Sequence, residues 1–268
     1  MLLHVHEWGD PRGEPLVCLH GVTGYAGVYQ RLAEERWRER RVLAFDLRGH
    51  GRSGWEPPWT FATHVADLTE TATALGLVTA DWVGHSFGGR LVLELASAQP
   101  QLVRRACLLD PAIQLLPQVA LDAAEFERRE PVYRSAEDYL QERLLLYPDS
   151  PRAAIEHEAA QHLELQRDGS LRRRTCQATA VSIYGELASA APAPSTLTAE
   201  TLLLYAPAYG LVRTEQIEAY RAVLGDRLRI VEVPGMHMVQ WDAFNEVATS
   251  VERLLSSATD EGDAVTED

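Results

Sequence analysis

Short unbroken apolar runs separated by amphipathic segments constrain this chain most. The runs at 15–19 (PLVCL), 41–47 (RVLAFDL), 81–83 (DWV), 105–109 (RACLL), 201–205 (TLLLY) and 228–233 (LRIVEV) read as strands. They are continuous rather than alternating, the pattern expected when both faces of a sheet are covered. Helical periodicity falls between them, at 25–36, 61–75, 86–98, 214–224 and 241–255. Strand–helix alternation of this kind predicts an α/β fold, a mostly parallel sheet with helices on both faces. The first residues, MLLHVHE, enter a strand-like alternation at once.

The alternation lapses over 111–191. That stretch is helical in composition, carries a charged cluster at 125–130 (EFERRE) and an apolar run at 144–147 (LLLY), and ends in the linker-like AAPAP of 190–194. The expected organisation is a core of residues 1–110 and 192–258, a helical insertion at 111–191, and a disordered acidic tail at 259–268.

With 268 residues, 46% of them apolar and 24% charged, the chain is long enough to bury a sizeable core. Disordered, collagenous and coiled-coil readings are excluded. A net charge of −14 argues against nucleic-acid partners and against docking on anionic lipid. Three scattered cysteines, Cys18, Cys107 and Cys176, suit neither a disulfide framework nor a zinc site. With no signal-peptide pattern and no apolar run long enough to span a bilayer, a cytoplasmic location is expected. Oligomeric state is not legible.

The sharpest chemical signal is Gly84-His85-Ser86-Phe87-Gly88, which follows a strand and opens a helix. That context is what a G-x-S-x-G turn requires. The tight turn strains the serine, lifts its hydroxyl above the sheet edge and places it at a helix N-terminus, where free N–H groups favour a developing oxyanion. The plain alternative is a glycine-rich turn whose serine only caps the helix. His20-Gly21-Val22-Thr23-Gly24 follows another strand to the same edge, so the Val22 N–H can pair with that of Phe87. Pro234-Gly235-Met236-His237 follows the last strand and brings a histidine there.

These segments, with Asp46-Leu47-Arg48-Gly49-His50-Gly51-Arg52-Ser53, resemble the α/β-hydrolase superfamily over nearly the whole chain. The resemblance implies an eight-stranded, mostly parallel sheet with an inserted helical cap at 111–191. It implies Ser86 as nucleophile, His237 as general base and then acid, Val22 and Phe87 as oxyanion donors, and a structural role for 46–53. One departure stands out. The family usually places its acid in a turn after the strand at 201–205, but here that turn reads Ala206-Pro207-Ala208-Tyr209-Gly210 and has no carboxylate. An imidazole needs an acceptor on its second nitrogen. Asp110, ending the strand at 105–109, is the favoured acid, with Asp226 and Asp242 in reserve.

Other patterns carry less. Gly21, Gly24 and Gly27 match no nucleotide-binding fingerprint. His4 and His6 point the same way on a strand and are able to pair at a metal, but with no third ligand nearby an ordinary exposed face is expected. His157 and His162 are misaligned on a helix, and 172–174 (RRR) reads as a solvated face. No metal and no cofactor are implied. In the cap, Leu115, Leu116, Phe126, Tyr133, Tyr139, Leu140 and 144–147 are candidates for an apolar acyl pocket, though most are expected to pack the cap onto the core. The expected activity is serine carboxylesterase, lipase-like chemistry on small-molecule esters with short or medium acyl chains. C–C bond hydrolysis, lactone opening, cofactor-free perhydrolysis and a non-catalytic ligand-binding homologue are the alternatives.

Overall fold

The computed structural model of the chain describes residues 1–129 and 131–256. The strands run β1 (His4–Gly9), β2 (Pro15–Leu19), β3 (Arg41–Asp46), β4 (Ala80–His85), β5 (Val103–Leu109), β6 (Leu163–Leu165), β7 (Leu171–Arg173), β8 (Glu200–Tyr205) and β9 (Leu228–Glu232). Seven of them form one sheet in the order β1-β3-β2-β4-β5-β8-β9, parallel except for β1. The fold is therefore α/β, with seven strands in this sheet among the described residues instead of the expected eight. All six residues of β1 pair with β3, and only residues 10–14 separate β1 from β2, which leaves no length for a further hairpin strand there.

The helices are α1 (Gln30–Glu35), α2 (Phe61–Ala74), α3 (Phe87–Ala98), α4 (Pro117–Arg128), α5 (Ala136–Leu146), α6 (Arg152–His162), α7 (Gln177–Leu187), α8 (Thr214–Leu224), α9 (Val239–Asp242) and α10 (Phe244–Leu255). Two expected helices come out in pieces. A 3₁₀ turn, Ala26–Tyr29, precedes α1, and Ala243 breaks the last helix with a non-helical backbone.

Successive strand residues supply opposite layers. Val17, Leu19 and Trp82 join a core with Leu68 of α2, Leu91 of α3 and Ile217 of α8. Leu16, Cys18 and Val83 join a second with Leu32 of α1 and Val251 of α10. Two-sided burial explains why these runs are apolar without alternation.

From β2 the chain moves outward to β3 and then crosses back to β4. The strand order thus reverses between β2 and β4, and the loops at their C-terminal ends open a crevice at that switch point. Residues 20–24 and Ser86 stand on those two loops.

Between β5 and β8 lie α4 to α7, but this stretch is not wholly helical. β6 and β7 form an antiparallel ribbon, and Arg173 on it is mostly buried and paired with Glu127. The arginine run is therefore not simply a solvated face. The ribbon's exit is tied to the 46–53 turn, with Gly51 N–H donating to Arg174 O (2.8 Å) and Cys176 N–H to Gly49 O (2.7 Å). Fully buried Arg90 of α3 donates to the carbonyls of Ile113 and Ala190 (2.8 Å to the latter), fastening both ends of the segment beside Ser86. The acidic tail at 259–268 lies outside the described residues.

Candidate active site

Ser86 connects β4 to α3 with φ 54° and ψ −116°. This is a positive-φ conformation that non-glycine residues rarely hold without strain. The turn is closed too tightly for side chains at its flanks. A Cβ on Gly84 would stand 2.3 Å from Gly88 O, and one on Gly88 would stand 2.2 Å from Leu19 O. Ser86 N–H donates to Leu109 O (3.0 Å), and Ser86 O accepts from Ala112 N–H (3.0 Å), so the elbow is held by the end of β5.

Asp110 follows β5 directly, fully buried and also at positive φ (40°). Its N–H donates to Leu204 O at 2.7 Å. Its Oδ1 accepts the Ala206 N–H at 3.3 Å, and its Oδ2 lies 2.6 Å from Nδ1 of His237. With Nδ1–H donating to the carboxylate, Nε2 is left as the basic nitrogen. The turn after β8 thus contributes a backbone N–H to the acid in place of a carboxylate of its own. It also contributes Tyr209, whose ring stacks on His237 at 4.6 Å and 14°.

The reserve carboxylates are elsewhere. Asp242 accepts from Met236 N–H (2.8 Å) and from the Ser150 hydroxyl (2.5 Å), and burial raises its pKa. Asp226 sits in the exposed 3₁₀ turn Gly225–Arg227, before β9, at the far end of that strand from His237.

His85 is buried, and its Nε2–H donates to the His237 carbonyl at 2.8 Å. The two rings are 4.6 Å apart. Burial, and then the proximity of His237, push His85 well below the usual histidine pKa. The first loop is fixed by His20 and His50. His20 Nδ1–H donates to Gly21 O (2.8 Å) and its Nε2 accepts Leu47 N–H (3.1 Å), while burial pushes its pKa down to about 3. His50 Nε2–H donates to the Val22 carbonyl. Gly21 packs against Ser86, where an added Cβ would be 3.3 Å from the serine Cβ. The N–H groups of Val22 and Phe87 make no backbone hydrogen bond among the described residues.

Ser86 and His237 line one cavity of about 150 Å³, with Val22, Leu115 and Tyr147 in its walls. Among the described residues no hydrogen bond joins Ser86 to His237, while the Asp110–His237 contact is already formed. Of the other acyl-pocket candidates, Tyr133, Tyr139 and Leu140 are buried in the packing, and Leu116 and Phe126 face outward. The wall also holds groups that the sequence did not single out, Arg143 and Glu158, whose buried bidentate pair measures 2.9 and 3.1 Å. Their spacing on separate helices gave no local signal. His85 and Tyr209 were in plain view inside the two turns but carried no pattern of their own.

A sequence model of the alpha/beta hydrolase fold matches residues 14–244. Lipase LipV of Mycobacterium tuberculosis is 30% identical over 94% of this chain and 97% of its own length. The sn-1-specific diacylglycerol lipase ABHD11 of Danio rerio is 35% identical over 38% of this chain and 33% of its own. Among solved structures, E-2-(acetamidomethylene)succinate hydrolase superposes with a TM-score of 0.84 at 24% identity, covering 95% of each chain.

Proposed function

Because the chain belongs to the alpha/beta hydrolase fold family, we propose that it is a serine hydrolase that cleaves carboxylic esters through an acyl-enzyme intermediate. The observation that carries this reading is the 2.6 Å contact between Asp110 and His237 at the rim of the cavity that Ser86 also lines. Its lipase-named relatives support a hydrolase, and the ester-specific step is our inference from the site.

In this mechanism Nε2 of His237 takes the Ser86 proton as Oγ attacks the ester carbonyl, because an alcohol is a weak nucleophile at its own pKa. Catalytic hydrogen bonds are often loose without substrate and tighten when it binds. The N–H groups of Val22 and Phe87 stabilise the tetrahedral oxyanion, a contribution of about 3 to 4 kcal/mol per donor in deletion tests. His237 then protonates the leaving alcohol and activates the water that releases the acid. Asp110, buried and fixed by the Ala206 N–H, holds the tautomer and balances the transient imidazolium.

In this reading 111–191 serves as a cap on a core formed by 1–110 and the described part of 192–258, which ends at 256. A cavity of about 150 Å³ is small beside the roughly 300–1,000 Å³ of larger ligand pockets, which favours short or medium acyl groups. A cytoplasmic setting belongs to the same reading and is supported by three free thiols. Among the described residues no helix is long and apolar enough to cross a membrane. The missing carboxylate after β8 favours a non-catalytic homologue, and Asp110 beside His237 supports the catalytic reading instead.

A panel of p-nitrophenyl esters, run on wild type and Ser86→Ala, tests the proposal. Turnover of the shorter esters that disappears in the variant is the expected result. Turnover that survives the substitution, or none in either protein on any ester, overturns it.

A further inference from the structure

His4 and His6 share one face of β1, and the antiparallel register with β3 sets His4 directly opposite Asp46. This supplies the third ligand that is invisible in the sequence, forty positions away. His6 Nε2 is 3.3 Å from Asp46 Oδ2, and the two imidazoles meet edge to face with centroids 4.8 Å apart. One ligand atom from each of the three residues lies within 4.8 Å of the other two. We propose that His4, His6 and Asp46 form a binding site for a divalent ion of the zinc type, separate from the Ser86 cavity.

Metal–ligand bonds of about 2.0–2.1 Å at a tetrahedral angle put two ligand atoms about 3.3–3.4 Å apart. His6 and Asp46 already stand at that separation. His4, half-buried and with no ring hydrogen bond among the described residues, supplies the third ligand atom. Two imidazoles and one carboxylate suit Zn²⁺, Co²⁺, Ni²⁺ or Cu²⁺, not Mg²⁺ or Ca²⁺, and solvent fills the remaining position. The carboxylate is oriented in advance, because Oδ1 accepts the Ala26 N–H (3.1 Å) and Oδ2 the Arg52 N–H (3.0 Å). The strand is held in register at the same point, where His4 N–H donates to Ser53 Oγ at 2.9 Å. Outer partners of this sort orient ligands and raise affinity. The opposing charge is the exposed Arg52 side chain, which acts electrostatically on His4.

Trp8, next along the same face, stacks on His6 with centroids 5.7 Å apart and 19° between planes, and so reports on the site. The full-length protein is titrated with Co²⁺ and Cu²⁺, following visible absorption and tryptophan fluorescence, and with Zn²⁺ by calorimetry. One equivalent is expected to bind, with partial quenching that vanishes in Trp8→Phe while Zn²⁺ binding persists. His4→Ala and His6→Ala are each expected to weaken binding at least about tenfold, and Arg52→Ala to strengthen it. Ester turnover and circular dichroism, unchanged in these variants, show that they are folded. Absence of binding by wild type, or binding that the His4→Ala/His6→Ala double variant leaves intact, overturns the proposal. The second outcome would place the ion at other histidines.

Discussion

Nδ1 of His237 lies 2.6 Å from Oδ2 of Asp110, a residue 127 positions earlier that closes β5 instead of following β8. The sheet makes this contact available because β5 and β8 are parallel neighbours whose C-terminal ends meet at one edge. Asp110→Asn keeps the shape but loses the carboxylate, so kcat on a cleaved ester is expected to fall by about 10⁴. Asp226→Asn is expected to change it little. A loss of less than about tenfold for Asp110→Asn would remove Asp110 from the role.

In the proposed mechanism His50, hydrogen-bonded to the Val22 carbonyl, fixes the loop that carries the Val22 N–H donor. It touches no reacting atom. An interaction realised only in the transition state affects kcat with little effect on KM. His50→Phe is therefore expected to lower kcat about tenfold or more at unchanged KM. A rise in KM alone would assign His50 to substrate binding instead.

Arg143 and Glu158 face each other in the cavity wall with side chains 10% and 3% exposed. Removing one partner strands a buried charge, at a cost of about 3–5 kcal/mol. Glu158→Gln and Arg143→Met should each lower urea stability on that scale. The double variant should recover much of the loss, since neither charge then remains unpaired. Additive losses would show that the pair is not coupled.

Burial pushes His20 and His64 down from 6.5 to about 3. Between those values the unfolded chain binds protons that the folded chain refuses. The stability present above pH 6.5 is therefore lost as pH falls towards 3, at about 1.4 kcal/mol per pH unit for each histidine. Urea unfolding at pH 7, 6 and 5 should show this decline, reduced in His64→Leu. A flat profile over that range would contradict the burial argument.

The sheet was legible because two-sided burial writes itself as unbroken apolar runs, and the serine turn because glycines are compulsory at positions 84 and 88. The contact of Asp110 with His237 was foreseeable, since the turn after β8 lacks an acid and Asp110 ends the neighbouring strand. The ribbon at 163–173 was not legible, because three-residue strands leave almost no period to read. The cavity wall was legible only in part, at Val22, Leu115 and Tyr147. Arg143 and Glu158 sit on different helices, and their neighbours Tyr139 and Leu140 are buried in the cluster that joins the insertion to the core, as expected for most of that set. His4 and His6 were seen, but their partner Asp46 is adjacent only through strand register.

Incubation with a fluorophosphonate, followed by peptide mapping by mass spectrometry, tests the central claim most directly. The account predicts one covalent adduct, on Ser86, formed by wild type, slowed in His237→Ala and absent in Ser86→Ala. An adduct on another residue, or an unmodified protein with undiminished ester turnover, would contradict it.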